Sequence, residues 1–195
     1  EKAHRCHVQV ATHAIGDRAN RMVLDTYEAV LGKDAASTDH RWRVEHAQVV
    51  TLQDIPRFAT LHLIASMQPT HATSDMPWAQ KRLGAERLAG AYAWQRFIHD
   101  RVPLAFGSDF PVEDVDPMLG LYAAVTRQDL HGQPPGGWLP DQKVSRLQAL
   151  AGFTRGAAYA GFLEHEVGAL EPGLRADFVI LDGDPLNAAP PDLAF

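Results

Sequence analysis

Apolar and polar positions along this chain fall into short β-type runs that alternate with helical patterns. Residues 7–12 read as a strand. Residues 17–31 then carry Ala19, Met22, Val23, Tyr27 and Val30 near helical spacing, and Gly32 ends that helix. Residues 41–46 form a second strand that closes on His46. A short helix over 51–62 follows, with Thr51 as N-cap and Asp54 three residues on. Residues 62–68 read as a third strand and 69–85, which lack a clear period, as a long loop. A helix over 86–99 leads to a fourth strand at 102–106, broken by Gly107-Ser108-Asp109. A helix at 117–129, a turn-rich loop at 130–141 and a helix at 145–160 come next, the last opened by a Ser145/Gln148 capping box. In the tail, Pro172-Gly173 makes a turn between short β-runs, and strand formers cluster at Phe178–Leu181, so the pattern there predicts a small β element. Residues 187–195 read as a frayed tail or the start of a further segment.

Strands that alternate with helices imply a parallel sheet, in a (β/α) barrel or a doubly wound fold. Both architectures bind ligands at the carboxyl ends of their strands. His13, His46 and Asp109 each stand at or just beyond such an end. The two histidines are one βα unit apart, and Asp109 follows two units later. Imidazole and carboxylate groups converging on one open face suit Zn, Mn or Fe. Taken singly each residue has a plainer reading: a histidine at a strand end is usually hydrogen-bonded structure, and an aspartate there usually caps a turn or helix. Their repetition on successive units favours the metal site. Of the other histidines, His4, His40, His99 and His131 look like surface groups, and His7 and His62 sit at strand starts. His71 can reach the same face and is a candidate substrate contact, with Gln68 and Arg87 on or near the loop after the third strand. Glu45 faces away from His46 on its strand, and Trp78 and Trp138 lie in long loops.

Composition narrows the function classes. The chain has 195 residues, 46% hydrophobic and 22% charged, enough for one domain with a real core. Its net charge of −6 argues against nucleic acid or an anionic membrane as partner. No apolar run has membrane-spanning length. A single cysteine, Cys6, rules out an internal disulfide and is expected to be at least half-buried. The first residue is Glu1 and the chain enters in mid-pattern, so a piece of a longer, cytoplasmic protein is expected.

The segments VATHAIGDRAN, RVEHAQVV, ASMQPTHATSD, PLAFGSDFPV and LEPGLRADFVIL occur in that order along the chain. Together they resemble the metal-dependent amidohydrolase superfamily, and within it the amidohydrolase-3 branch that includes N-substituted formamide deformylase. The resemblance implies an α/β fold: the second half (strands five to eight) of a TIM-type (β/α)8 barrel over residues 1–163, plus a C-terminal piece of a small β domain over 164–195. It implies that His13 and His46 are the metal-ligand histidines of strands five and six. Asp109 then matches the strand-eight aspartate, which binds metal and acts as general base on the attacking water. It implies a divalent metal, zinc above all, as one or two ions, and a small-molecule substrate cleaved at an amide or other C–N bond. The family's strand-one His-x-His pair and strand-four carboxylated lysine or glutamate have no counterpart among these residues. Two alternatives stay open. One is a non-catalytic, truncated or split chain that needs a complementary N-terminal half or forms a homo-oligomer. The other is a phosphoesterase on the same barrel, against which stands the lack of an Arg/Lys cluster at the strand ends.

Overall fold

A computed structural model describes residues 1–193. The fold is α/β, built on a four-stranded sheet in the order β1-β2-β3-β4: β1 (Ala11–Ala14), β2 (Arg43–His46), β3 (Ile64–Met67) and β4 (Leu104–Phe106). The β1–β2 and β2–β3 pairings are parallel, with Ala14 opposite His46 and Val44 opposite Ala65. The helices are α1 (Lys2–Arg5), α2 (Asp17–Leu31), α3 (Ile55–Thr60), α4 (Pro69–Leu88), α5 (Trp94–His99), α6 (Pro117–Thr126), α7 (Arg146–Ala151) and α8 (Ala157–Ala160). A π-helical turn at Gly152–Gly156 joins α7 to α8.

The chain divides into two compact units. The first comprises Glu1–Met67 and Ala79–Leu104; the second comprises Gln68–Trp78 and the chain from Ala105 onward. In the first unit, Leu24, Val44, Phe58, Leu63, Trp94 and Phe97 are fully buried. The Phe58 and Phe97 rings meet edge-on with centroids 5.1 Å apart. Asp54 ties α2 to α3: Arg21 Nε donates to it at 2.8 Å, Thr51 Oγ1 at 2.8 Å and Arg57 at 3.1 Å. Burial raises its carboxyl pKa, but these donors together outweigh burial and hold it below the usual range. The core of the second unit gathers Phe106, Leu121, Tyr122, Ala124, Ala149 and Ala158. Arg127, also buried, donates from Nε to the Trp138 carbonyl at 2.6 Å.

Helix α2 spans the expected 17–31, because Asp17 suits the positive helix start and Gly32, at φ +51°, stops it. Ser145 and Gln148 form the expected capping box. Other expectations need correction. Residues 69–85 are not a loop. Pro69 sits in the first turn, where its missing N–H costs nothing, and α4 runs on to Leu88 with a break at Gly84 (φ +72°). The expected helix at 86–99 is interrupted at 89–93, where Ala91 bridges Val49 in antiparallel fashion. Residues 7–10 precede β1, so His13 lies within the strand instead of after it. His40 is half-buried and Cys6 is exposed, the reverse of what each was expected to be. Residues 164–193 contain no strand, and Phe178, Val179 and Ile180 are exposed. Strand formers hold a strand only where a neighbour completes the hydrogen-bond ladder, and among the described residues none does. The expectation for Ala194 and Phe195 lies outside the described residues.

Candidate metal centre

In the first unit, adjacent parallel strands bring two imidazoles together at their carboxyl ends. His13 is exposed on β1 and His46, the last residue of β2, is buried. Their rings meet edge-to-face with centroids 4.5 Å apart. The backbone turns sharply here: His46 has φ +77° and Ala47 φ +45°, a left-handed conformation that costs a non-glycine residue roughly 1–3 kcal/mol. Neighbouring segments hold it. Ala47 N–H donates to Ala14 O at 3.1 Å and Val49 N–H to Ile15 O at 2.9 Å. On the other side Val50 N–H donates to Gly90 O at 3.0 Å, and Tyr92 N–H to Gln48 O at 2.7 Å. The Gln48 side-chain amide also donates to the Tyr92 hydroxyl. Only glycine fits at position 90, since an added Cβ would lie 1.8 Å from Val50 O.

Asn20, which the sequence pattern does not single out, closes this arrangement from α2. It is fully buried, and its Nδ2 lies 3.0–3.2 Å from the carbonyls of Ala14, Ile15, Gly16 and Val49. One amide thereby gathers the chain that follows both histidine-bearing strands. An asparagine in a helical pattern ordinarily reads as surface, which is why it escapes notice. At the start of the same strand Thr12 Oγ1 and Tyr27 Oη share a hydrogen bond of 2.5 Å, and burial raises the phenol pKa. Glu45 pairs with Arg43 on its own strand.

In the second unit, β4 leads through Gly107 and Ser108 to Asp109, which also has positive φ, +62°. Its carboxylate Oδ2 lies 3.7 Å from Nε2 of His71, in the first turn of α4. His71 and Gln68, immediately before α4, are both buried. Asp109 is exposed. Arg87 belongs instead to the first unit, near the end of α4. Its Nε and Nη2 donate to Leu83 O and Arg82 O at 3.0 Å, and Nη1 lies 3.7 Å from Asp17. With Asp17, Thr51, Gln53 and Glu86 it lines a cavity of about 200 Å³. Trp78 is a half-exposed residue of α4, not of a loop.

The donor chemistry fits a divalent cation. Within itself the first unit carries paired imidazoles, and the second carries an imidazole beside a carboxylate, both donor types that zinc accepts. Three comparisons bear on the chain as a whole. It is 43% identical over 178 residues to the protein LONG AFTER FAR-RED 3 of Arabidopsis thaliana, a match covering 89% of this chain and 30% of that protein. It is 28% identical over 194 residues to N-substituted formamide deformylase of Arthrobacter pascens, covering 98% of this chain and 35% of that enzyme. The crystal structure of an uncharacterized metal-dependent hydrolase from Pyrococcus horikoshii superposes with TM-score 0.83 at 33% identity, over 97% of this chain and 37% of that one. The chain thus spans about a third of the length of the curated relatives it matches. The amidohydrolase family model, of the amidohydrolase-3 branch, matches residues 1–194, and this chain belongs to that family.

Proposed function

We propose that this chain is part of a metal-dependent hydrolase that cleaves amide or other non-peptide C–N bonds, with β1 to β4 as strands five to eight of a (β/α)8 barrel. The observation that carries the reading is the edge-to-face pair of His13 and His46 at the carboxyl ends of adjacent parallel strands. In barrel enzymes that end is where catalytic groups gather. His13, His46 and Asp109 would hold the cation, for which zinc is our choice because imidazole and carboxylate suit it. Held there, a divalent ion would supply Lewis-acid polarisation of the scissile carbonyl and a lowered pKa for the attacking water.

The chain's own residues do the rest. Asp109 takes a proton from the attacking water, whose oxygen bonds to the acyl carbon, and returns that proton to the nitrogen as the C–N bond breaks. The products are a carboxylic acid and an amine, and no other reactant is needed. Exposure leaves the Asp109 carboxylate accessible to both water and substrate. His71, 3.7 Å from it, is placed to steer that carboxylate, and Gln68 stands just ahead in the chain. Asn20 and the Gly90–Tyr92 segment keep His46 in its left-handed turn.

The test is metal analysis of the protein that carries this sequence, together with a hydrolysis screen of N-substituted amides against phosphate esters. Bound zinc that falls in His13→Ala and His46→Ala, with amide turnover, is the expected result. Phosphate-ester turnover alone, or metal content indifferent to both histidines, overturns it.

A further inference from the structure

The cavity of about 200 Å³ in the first unit has Asp17, Leu52, Gln53, Glu86, Arg87 and Gly90 in its lining. Neither histidine of the edge-to-face pair lines it. Arg87 is held from one side only. Its Nε and Nη2 donate to the Leu83 and Arg82 carbonyls, just before the break of α4 at Gly84, and this leaves Nη1 as the end nearest Asp17. Asp17 is fixed in a similar way: Oδ1 accepts from Arg18 N–H at 2.8 Å, and Oδ2 lies 3.7 Å from Arg87 Nη1. That separation is too long for a hydrogen bond, so guanidinium and carboxylate are close without being joined. Glu86 adds a second carboxylate and Gln53 an amide, both exposed, and Leu52 adds an exposed apolar side chain.

These charges select by sign. Two carboxylates disfavour a plain anion, and a guanidinium pinned to carbonyls disfavours a plain cation. A molecule that carries both charges suits both: its ammonium, with three donors, can meet Asp17 and Glu86, and its carboxylate can accept from Arg87 Nη1. The volume is below the roughly 300–1,000 Å³ of pockets for drug-sized ligands, which limits the occupant to about the size of an amino acid. The cavity also shares walls with the support of His46. Val49, in the lining, bridges Ala91, and Gly90, in the lining, accepts from Val50 N–H at 3.0 Å. The close approach at Gly90 leaves no slack between these segments. We propose that this cavity is an effector site for a small zwitterion, a free α-amino acid with a compact apolar side chain, and that its occupancy changes the metal affinity at His46. The second half rests on the reading of His46 as a metal ligand; the first does not.

The experiment uses the protein that carries this sequence and both enantiomers of valine, with binding read by isothermal titration calorimetry. Isobutylamine and isovalerate, which are valine without its carboxylate and valine without its amine, are the controls. At least one enantiomer is expected to bind, and each control to bind about tenfold more weakly or worse, because each forfeits a hydrogen bond to a charged group. Arg87→Met is expected to weaken valine by about the same factor and to leave isobutylamine no weaker. Glu86→Gln is expected to weaken valine about three- to tenfold and to leave isovalerate no weaker; it keeps the test decisive should Arg87→Met disturb the end of α4. Absent binding of either enantiomer, a control that binds as tightly as valine, or valine binding indifferent to both variants overturns the proposal. A second titration measures zinc affinity with and without saturating valine. A shift of about threefold or more is expected, with the reciprocal shift in valine affinity that linkage requires, and an unchanged zinc affinity overturns the coupling. If zinc does not bind while valine keeps its Arg87 dependence, the metal reading fails and the zwitterion site stands.

Discussion

At the scale of single residues, the site depends on groups that differ in how visible they are in sequence. The strand-end placement of His13, His46 and Asp109, proposed above as ligands, is legible because strand ends recur with βα spacing. Asn20 is not legible: its role comes from carbonyls on two other segments, which no local pattern encodes. Asn20→Ala leaves those buried carbonyls without a donor, and a loss of about 1–3 kcal/mol is expected in urea unfolding. Asp109→Asn should keep its melting temperature while kcat for amide hydrolysis drops by about 10²- to 10⁴-fold, the usual worth of a general base. Turnover near that of the unaltered protein would remove Asp109 from the proposed mechanism. His40 gives a pH dependence. Trp42 N–H donates to its Nδ1 at 2.9 Å, so Nε2 carries the proton and donates to Leu61 O at 3.1 Å. Burial lowers its pKa in the folded chain, so below about pH 6.5 the unfolded chain binds the extra proton first. Its stabilising contribution is full above that pH and is lost as pH falls through the lowered value. Melting curves from pH 7.5 to 5 should fall less steeply for His40→Gln than for the unaltered chain.

Elements with punctuation at both ends were readable, and those without it were not. Helix α2 and the capping box at α7 announce themselves through Asp17, Gly32, Ser145 and Gln148. Ser145→Ala should cost roughly 0.5–2 kcal/mol in chemical unfolding, the ordinary worth of an N-cap. Helix α4 carries no apolar stripe, because its buried residues, Ala72 and Ala79 among them, are scattered between polar ones, and it contains Pro77. Periodicity therefore gives no signal there. The bridge between Val49 and Ala91 is likewise hidden, since its partners are far apart in sequence. Its geometry is nevertheless demanding. Gly90→Ala forces a methyl against Val50 O, and destabilisation at or above the 1–3 kcal/mol usual for overpacking should appear in the melting curve. If the bridge also holds His46, the same variant should bind zinc more weakly.

For the molecule as a whole, the alternation of strands and helices was enough to give α/β and a parallel sheet, whereas the tail was misread because strand formation depends on a neighbour. Phe178, Val179 and Ile180 are 62%, 78% and 89% exposed, and Phe110, Val112 and Val115 each exceed 60%. Apolar surface of this kind favours association. Light scattering on the isolated 195-residue chain should therefore report dimers or larger species; a stable monomer at high concentration would count against a partial-barrel arrangement. No helix among the described residues is long and apolar enough to cross a membrane.

The π-helical turn between α7 and α8 has a consequence for how such a molecule can change. It amounts to one residue too many in an otherwise continuous helical run from Arg146 to Ala160. Deleting a single residue within 152–156 would return the run to α pitch and close the wide turn, leaving the faces of the downstream residues near their present orientation. Phe153, on the wide turn itself, would be re-aimed, while Ala158 and Ala160 stay on the buried face and the two histidine-bearing strands keep their sequence and register. A one-codon indel is thus a discrete, local change at that turn, separable from the imidazole pair on the strands.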